Sequence, residues 1–174
     1  ELGAGPGNVP PHHIAARGSG LAGGPGSDGA PGDSAGGTGR LSPSRLRAAG
    51  YYAMVAHLDF NVGRILDLLE KSGQKDNTLI VFFADHGEML GGHGRFNKEV
   101  AYDESVRIPL MLRLPGAIPA GVRYGRPVSG IDIYPTCAAL CGLPIPSEVQ
   151  GMDLSAELRG QGGRRREDVL IQWL

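Results

Sequence analysis

The chain has 174 residues, 41% of them hydrophobic, and a formal net charge of −1. That length fits one domain or part of a larger one, and the near-neutral charge gives no electrostatic case for a nucleic acid or an anionic membrane as partner. No apolar run approaches the ~20 residues of a membrane span.

Residues 1–41 hold much of the Gly content, as in Gly23-Gly24-Pro25-Gly26-Ser27-Asp28-Gly29. Such a segment cannot bury enough apolar area to offset its ordering entropy, so it reads as a low-complexity or disordered stretch ahead of an ordered part at 42–174. The N-terminus, Glu1-Leu2-Gly3-Ala4, lacks an initiator Met and a signal-like core. With the apolar run at Leu170-Ile171-Gln172-Trp173-Leu174, it gives the expectation of a piece of something longer.

A helix is expected from Ser42, a good N-cap followed by Pro43 at the first helical position. Leu58, Val62, Ile65, Leu66 and Leu69 repeat at the spacing of one buried stripe, and Gly73 is a plausible stop. The run Thr78-Leu79-Ile80-Val81-Phe82-Phe83-Ala84 shows no alternation, which predicts a central strand buried on both faces in a parallel sheet. Helix followed by buried strand indicates an α/β layer architecture. A Gly-rich loop follows over 87–98, then a strand at Leu110-Met111-Leu112-Arg113-Leu114 closed by Pro115-Gly116. Residues 122–130 read as loop plus a short strand. Asp132 is placed as the cap of a helix running to Cys141, with Gly142 as its stop. A helical turn near Ser155–Leu158 and a final strand near Val169–Ile171 complete the pattern.

The chemistry concentrates at Asp85-His86-Gly87-Glu88, directly after the buried strand. In open α/β sheets ligands bind beyond the carboxyl ends of strands. Asp85 supplies a hard charged oxygen and His86 a neutral nitrogen, a pair suited to a metal ion. Adjacent side chains of a regular strand point to opposite faces, so the chain must turn for both to reach one ion, and Gly87 allows it. Lys98 can neutralise an anionic substrate or leaving group, or be a solvated surface charge. His93 reads as a further ligand, a proton donor or a hydrogen-bonded loop residue. Glu88 either orients His86 or faces water. His12 and His13 lie in the Gly/Pro-rich segment, His57 is read as structural, and Arg164-Arg165-Arg166 as a solvated loop. Cys137 and Cys141, four apart, read as two small apolar residues on one helix face, since a disulfide within one helical turn is geometrically poor.

From Tyr51 to Pro115 the chain resembles the sulfatase family. The matching words include Tyr51-Tyr52-Ala53, Leu58-Asp59, Val62-Gly63-Arg64-Ile65-Leu66, Asn77-Thr78-Leu79-Ile80, Asp85-His86-Gly87-Glu88-Met89-Leu90-Gly91, His93-Gly94, Lys98 and Tyr102-Asp103-Glu104-Ser105-Val106-Arg107-Ile108-Pro109-Leu110. The likeness continues through Val128-Ser129-Gly130-Ile131-Asp132-Ile133-Tyr134-Pro135-Thr136, Gly142-Leu143 and Gly151-Met152-Asp153-Leu154, and covers roughly residues 45–160.

The resemblance implies an α/β alkaline-phosphatase-like architecture, a layered sheet with flanking helices that is incomplete in this chain. It implies hydrolysis of a sulfate ester in a sulfated small molecule or glycan. Asp85 and His86 match the family's ligands for a divalent ion, usually Ca2+, with Mg2+ or Mn2+ as alternatives, and Lys98 matches its sulfate-contacting lysine. His12 or His13 would match a catalytic histidine carried upstream in a Pro-His motif. The family's formylglycine nucleophile arises in a Cys-x-Pro-x-Arg motif, which this chain lacks: Cys137 is followed by Ala138-Ala139-Leu140 and Cys141 by Gly142-Leu143-Pro144. The family's upstream Asp-Asp ligands are also absent, so the chain alone is expected to be inactive. The alternatives are a phosphodiesterase, phosphonate hydrolase or phosphoethanolamine transferase of the same superfamily, or a truncated non-catalytic homologue.

Overall fold

The structure is a computed structural model that describes residues 42–163 and 166–171. His12 and His13, the expected disordered segment over 1–41, and Arg164, Arg165, Trp173 and Leu174 lie outside the described residues. The chain divides into two units, Glu1–Leu68 and Leu69–Leu174.

In the first unit the described chain is helix. Helix α1 runs over Pro43–Lys71 and crosses into the second unit. Ser42 precedes it as expected and accepts the Leu46 N–H on its carbonyl at 2.9 Å. Gly73 ends it at φ +71, a conformation that favours glycine. The expectation of a buried stripe is corrected. No residue of α1 is buried, and Leu58 and Ile65 are 51% and 59% exposed. Apolar periodicity identifies the face that would be covered, but it does not supply the element that covers it. No helix among the described residues is long and apolar enough to cross a membrane.

The second unit carries the sheet. Strand β1, Ile80–Phe83, pairs with β2, Leu110–Arg113, with Ile80 opposite Arg113 and Phe83 opposite Leu110. The pairing is antiparallel, which corrects the expected parallel sheet. Phe83 and Met111 are 49% and 43% exposed, so burial on both faces is corrected too. Among the described residues the sheet has two strands, β1 and β2. Arg113 fastens the far end of this ribbon, donating to Lys75 O at 2.6 Å and to Asp76 Oδ1 at 3.2 Å.

Beyond β1 the chain makes a 3-10 turn at Gly92–Gly94 and the short helix α2, Asp103–Val106. After β2 come a 3-10 turn at Gly130–Asp132, helix α3 at Ile133–Leu140 and helix α4 at Ser155–Leu158. The short strands expected within 122–130 and at Val169–Ile171 do not form among the described residues.

Asp132 does not cap α3 through its side chain. It is 1% exposed. Its Oδ2 accepts the Ser129 N–H at 2.8 Å, and its Oδ1 accepts the Met152 N–H at 2.8 Å and an Arg166 N–H at 3.0 Å. The carboxylate therefore closes a capping box with Ser129 one turn earlier and ties α3 to the segment that leads into α4. Thr136 makes a second tie, accepting the Leu154 N–H at 3.1 Å. Gly151 lies so close to Ile131 that a Cβ there would sit 2.0 Å from its carbonyl oxygen. Among the described residues of this unit Met89, Pro135, Ala138, Leu140 and Leu154 are buried apolar side chains.

Candidate metal and anion site

Strand β1 ends at Phe83, and Asp85 and His86 follow at its carboxyl end. Asp85 Oδ1 accepts the backbone N–H of His86 at 2.9 Å. That bond turns the second carboxylate oxygen toward the imidazole, where Oδ2 lies 3.3 Å from His86 Nε2. The turn that brings both side chains to one side is thus made by the Asp85 carboxylate itself.

The imidazole has a defined tautomer. His86 Nδ1 lies 2.8 Å from Gly87 O, which can only accept, so Nδ1 carries the proton. Lys98 Nζ lies 2.5 Å from Nε2 and can only donate, so Nε2 presents its lone pair. One neutral tautomer satisfies both contacts. It sets the Asp85 carboxylate beside an Nε2 lone pair that Lys98 occupies here; with the ammonium turned aside, the two are neighbouring donors of the kind a metal ligand pair needs. The carboxylate side chain is 83% exposed and the imidazole 36%, so the carboxylate faces solvent while Nε2 is met by Lys98.

Gly87 is required here by close packing. A Cβ on it would sit 1.9 Å from Glu104 O, and its N–H donates to Ser105 O at 2.7 Å. Gly87 is absent from the positive-φ glycines, so what glycine permits here is the close approach to α2 rather than a left-handed turn.

Glu88 does neither of the things expected of it. Its Oε1 accepts the N–H of Asn97 at 2.8 Å and of Leu90 at 3.3 Å, closing the loop that carries Lys98. Leu90, His93 and Asn97 all take positive φ in that loop, a conformation that is costly for side chains other than glycine. The Glu88 bonds, with Met89 N–H to Asn97 O at 2.9 Å and Gly91 N–H to Arg95 O at 2.8 Å, hold it closed.

The structure therefore brings Asp85, His86 and Lys98 together. His93 is engaged elsewhere: its ring stacks on Tyr102 with centroids 4.1 Å apart, and its Nε2 lies 3.6 Å from Glu104 Oε1. Cys137 and Cys141 are both free thiols. Burial, and then the neighbouring Cys141, pushes the Cys137 thiol up, which makes it a poor nucleophile. Among the described residues no group of three or more His, Cys, Asp and Glu could hold a metal ion, so Asp85 and His86 stand as a two-donor set. Sequence reasoning missed Ser105, which is 2% exposed. A lone serine in a polar stretch gives no signal of that burial.

Over most of its length the chain is similar to known proteins. The Sulfatase family model matches residues 23–143. An N-acetylglucosamine-6-O-sulfatase of Bacteroides thetaiotaomicron is 42% identical over 112 residues, which is 64% of this chain and 20% of that protein. A solved structure described as in complex with its substrate D-glucosamine-2-N,6-O-disulfate is similar at 42% identity and a TM-score of 0.55, covering 64% of this chain and 23% of the other. The phosphonate monoester hydrolase of Agrobacterium radiobacter is similar at 38% identity and a TM-score of 0.61, covering 65% and 23%. The chain spans about a fifth to a quarter of the length of the relatives it matches.

Proposed function

We propose that this chain, which belongs to the sulfatase family, contributes the Asp85–His86–Lys98 part of a site that hydrolyses sulfate esters with the help of a divalent ion. Its fold is the α/β alkaline-phosphatase-like architecture, present in part. The family implies a divalent-metal requirement. The observation that carries the proposal is the convergence of Asp85, His86 and Lys98 on the His86 Nε2 atom.

Asp85 Oδ2 and His86 Nε2 would hold the ion, with the Lys98 ammonium moving from Nε2 to the neighbouring sulfate. A hard carboxylate oxygen beside an imidazole nitrogen suits a divalent ion, and Ca2+ is the ion the family resemblance implies. When bound, the ion supplies positive charge against the sulfate oxygens. The Lys98 ammonium would add a second positive charge at the same group, favouring attack at sulfur by lowering the electron density that faces the nucleophile. The Gly87 carbonyl keeps the His86 lone pair aimed outward throughout.

The substrate class that fits is a sulfated small molecule or glycan, consistent with the glucosamine disulfate bound by the similar solved structure. Phosphonate ester hydrolysis is the second reading, favoured by the likeness to the Agrobacterium radiobacter hydrolase. Both reactions place charged oxygens where the ion and Lys98 would lie.

A chimera separates the two. Residues 42–171 of this chain replace the matching segment of the 42% identical N-acetylglucosamine-6-O-sulfatase. Hydrolysis of the 6-O-sulfated sugar in preference to a phenyl phosphonate monoester is expected. Phosphonate turnover without sulfate-ester turnover would replace the sulfatase reading with the second one.

A further inference from the structure

Two halves of the site lie on different parts of the chain: Asp85 and His86 follow β1, and Lys98 ends the Gly-rich loop. One residue bonds to both. Ser105, in α2, accepts the Gly87 N–H on its carbonyl at 2.7 Å, and its hydroxyl donates to the carbonyl of Lys98. The same Lys98 carbonyl accepts the Val100 N–H at 2.7 Å.

We infer that Ser105 is a positioning residue that sets the distance between His86 and Lys98, and so between the metal-holding and anion-holding halves of the proposed sulfatase site. This rests on the reading above. Four observations carry it. Ser105 is 2% exposed, so its hydroxyl has no solvent alternative to Lys98 O. Its own N–H donates to Tyr102 O at 2.9 Å, which fixes its backbone in the first turn of α2. Gly87 presses against α2 closely enough to exclude a Cβ, so the His86 side cannot drift. On the other side the Lys98 head meets Nε2 from a backbone whose carbonyl the Ser105 hydroxyl holds. The buried Ser105 hydroxyl bonds to that backbone from outside the loop, whereas the other donor to the same carbonyl, Val100 N–H, lies within it.

The test is carried out on the full 174-residue chain and reads the coupling itself. The 15N shift of His86 Nε2 is compared with and without Lys98→Ala, in the native background and in Ser105→Ala. In the native background, removing the lysine donor moves the Nε2 resonance by several ppm. With Ser105→Ala that displacement falls below half, and Ser105→Thr, which restores a hydroxyl, brings it back. The amide resonances of α3 and α4 stay unmoved, which a general loss of structure would not allow. An undiminished displacement in Ser105→Ala overturns the inference. If Ser105→Ala does not fold, Ser105→Thr against Ser105→Val gives the same comparison, because the pair differ only in the hydroxyl, and equal displacements overturn it. Titration with inorganic sulfate distinguishes the two readings. Coupling that depends on Ser105 in a chain whose Lys98 resonances ignore sulfate overturns the sulfatase reading and keeps Ser105 as the positioning residue.

Discussion

Lys98 Nζ lies 2.5 Å from His86 Nε2, although twelve residues separate the two in sequence. The contact is the meeting point of two anchored segments. Gly87 is packed against α2 on one side, and on the other the loop to Lys98 is closed by the Glu88 carboxylate. The consequences can be checked residue by residue.

Gly87→Ala places a methyl group 1.9 Å from Glu104 O. Overpacking of this kind costs ~1–3 kcal/mol, and relief requires α2 to move away from the site. Amide hydrogen exchange should show lower protection at Gly87 and Ser105 while α3 keeps its native protection. Native protection at both positions would mean that α2 is not packed against this glycine.

Asp132→Asn keeps the shape of the side chain but replaces one acceptor oxygen with a donor. The buried carboxylate accepts from Ser129, Met152 and Arg166 at 2.8, 2.8 and 3.0 Å, so at least one of these N–H groups loses its partner and Arg166 loses its counter-charge. A loss of ~1–3 kcal/mol is expected, read as faster exchange of the Ser129 and Met152 amides. Unchanged exchange at both would remove Asp132 from its assigned role as the tie between α3 and the Met152 segment.

The Cys137 thiol is pushed up by its burial and then by Cys141. A group with a raised folded-state value holds its proton longer in the folded chain. The stability it contributes is complete below the unfolded thiol value and is lost as pH rises through the folded one. Alkylation of Cys137 by iodoacetamide should therefore remain slow until pH exceeds the ordinary thiol range. Cys141→Ser removes one of the two causes and should speed the reaction at a fixed alkaline pH. A Cys137 rate that climbs below the ordinary thiol range would contradict this.

The grouping of Asp85, His86 and Lys98, which the structure brings into contact, was suggested by the sequence because the first two are adjacent after an apolar strand and all three fall on the words of one family. Helix α1 was legible at both ends, since Ser42-Pro43 and Gly73 are local signals. What covers its apolar stripe was not, because periodicity reports a face and burial depends on a partner. The antiparallel pairing of β1 with β2 is likewise a property of two distant segments, and an apolar run looks the same in either sheet type. Glu88 and Ser105 were missed for a related reason. Their roles are bonds to backbone groups seven to nine residues away, and nothing in a carboxylate or a hydroxyl announces which backbone group it will meet.

The most direct test of the account is sulfate-ester turnover and bound calcium measured together for Lys98→Ala and His86→Ala in the chimera with the 42% identical sulfatase. The account predicts that Lys98→Ala keeps its calcium and loses turnover by ~10²-fold or more, the scale of removing one transition-state charge donor, while His86→Ala loses both. Turnover unchanged by Lys98→Ala, or calcium retained in full by His86→Ala, would contradict it.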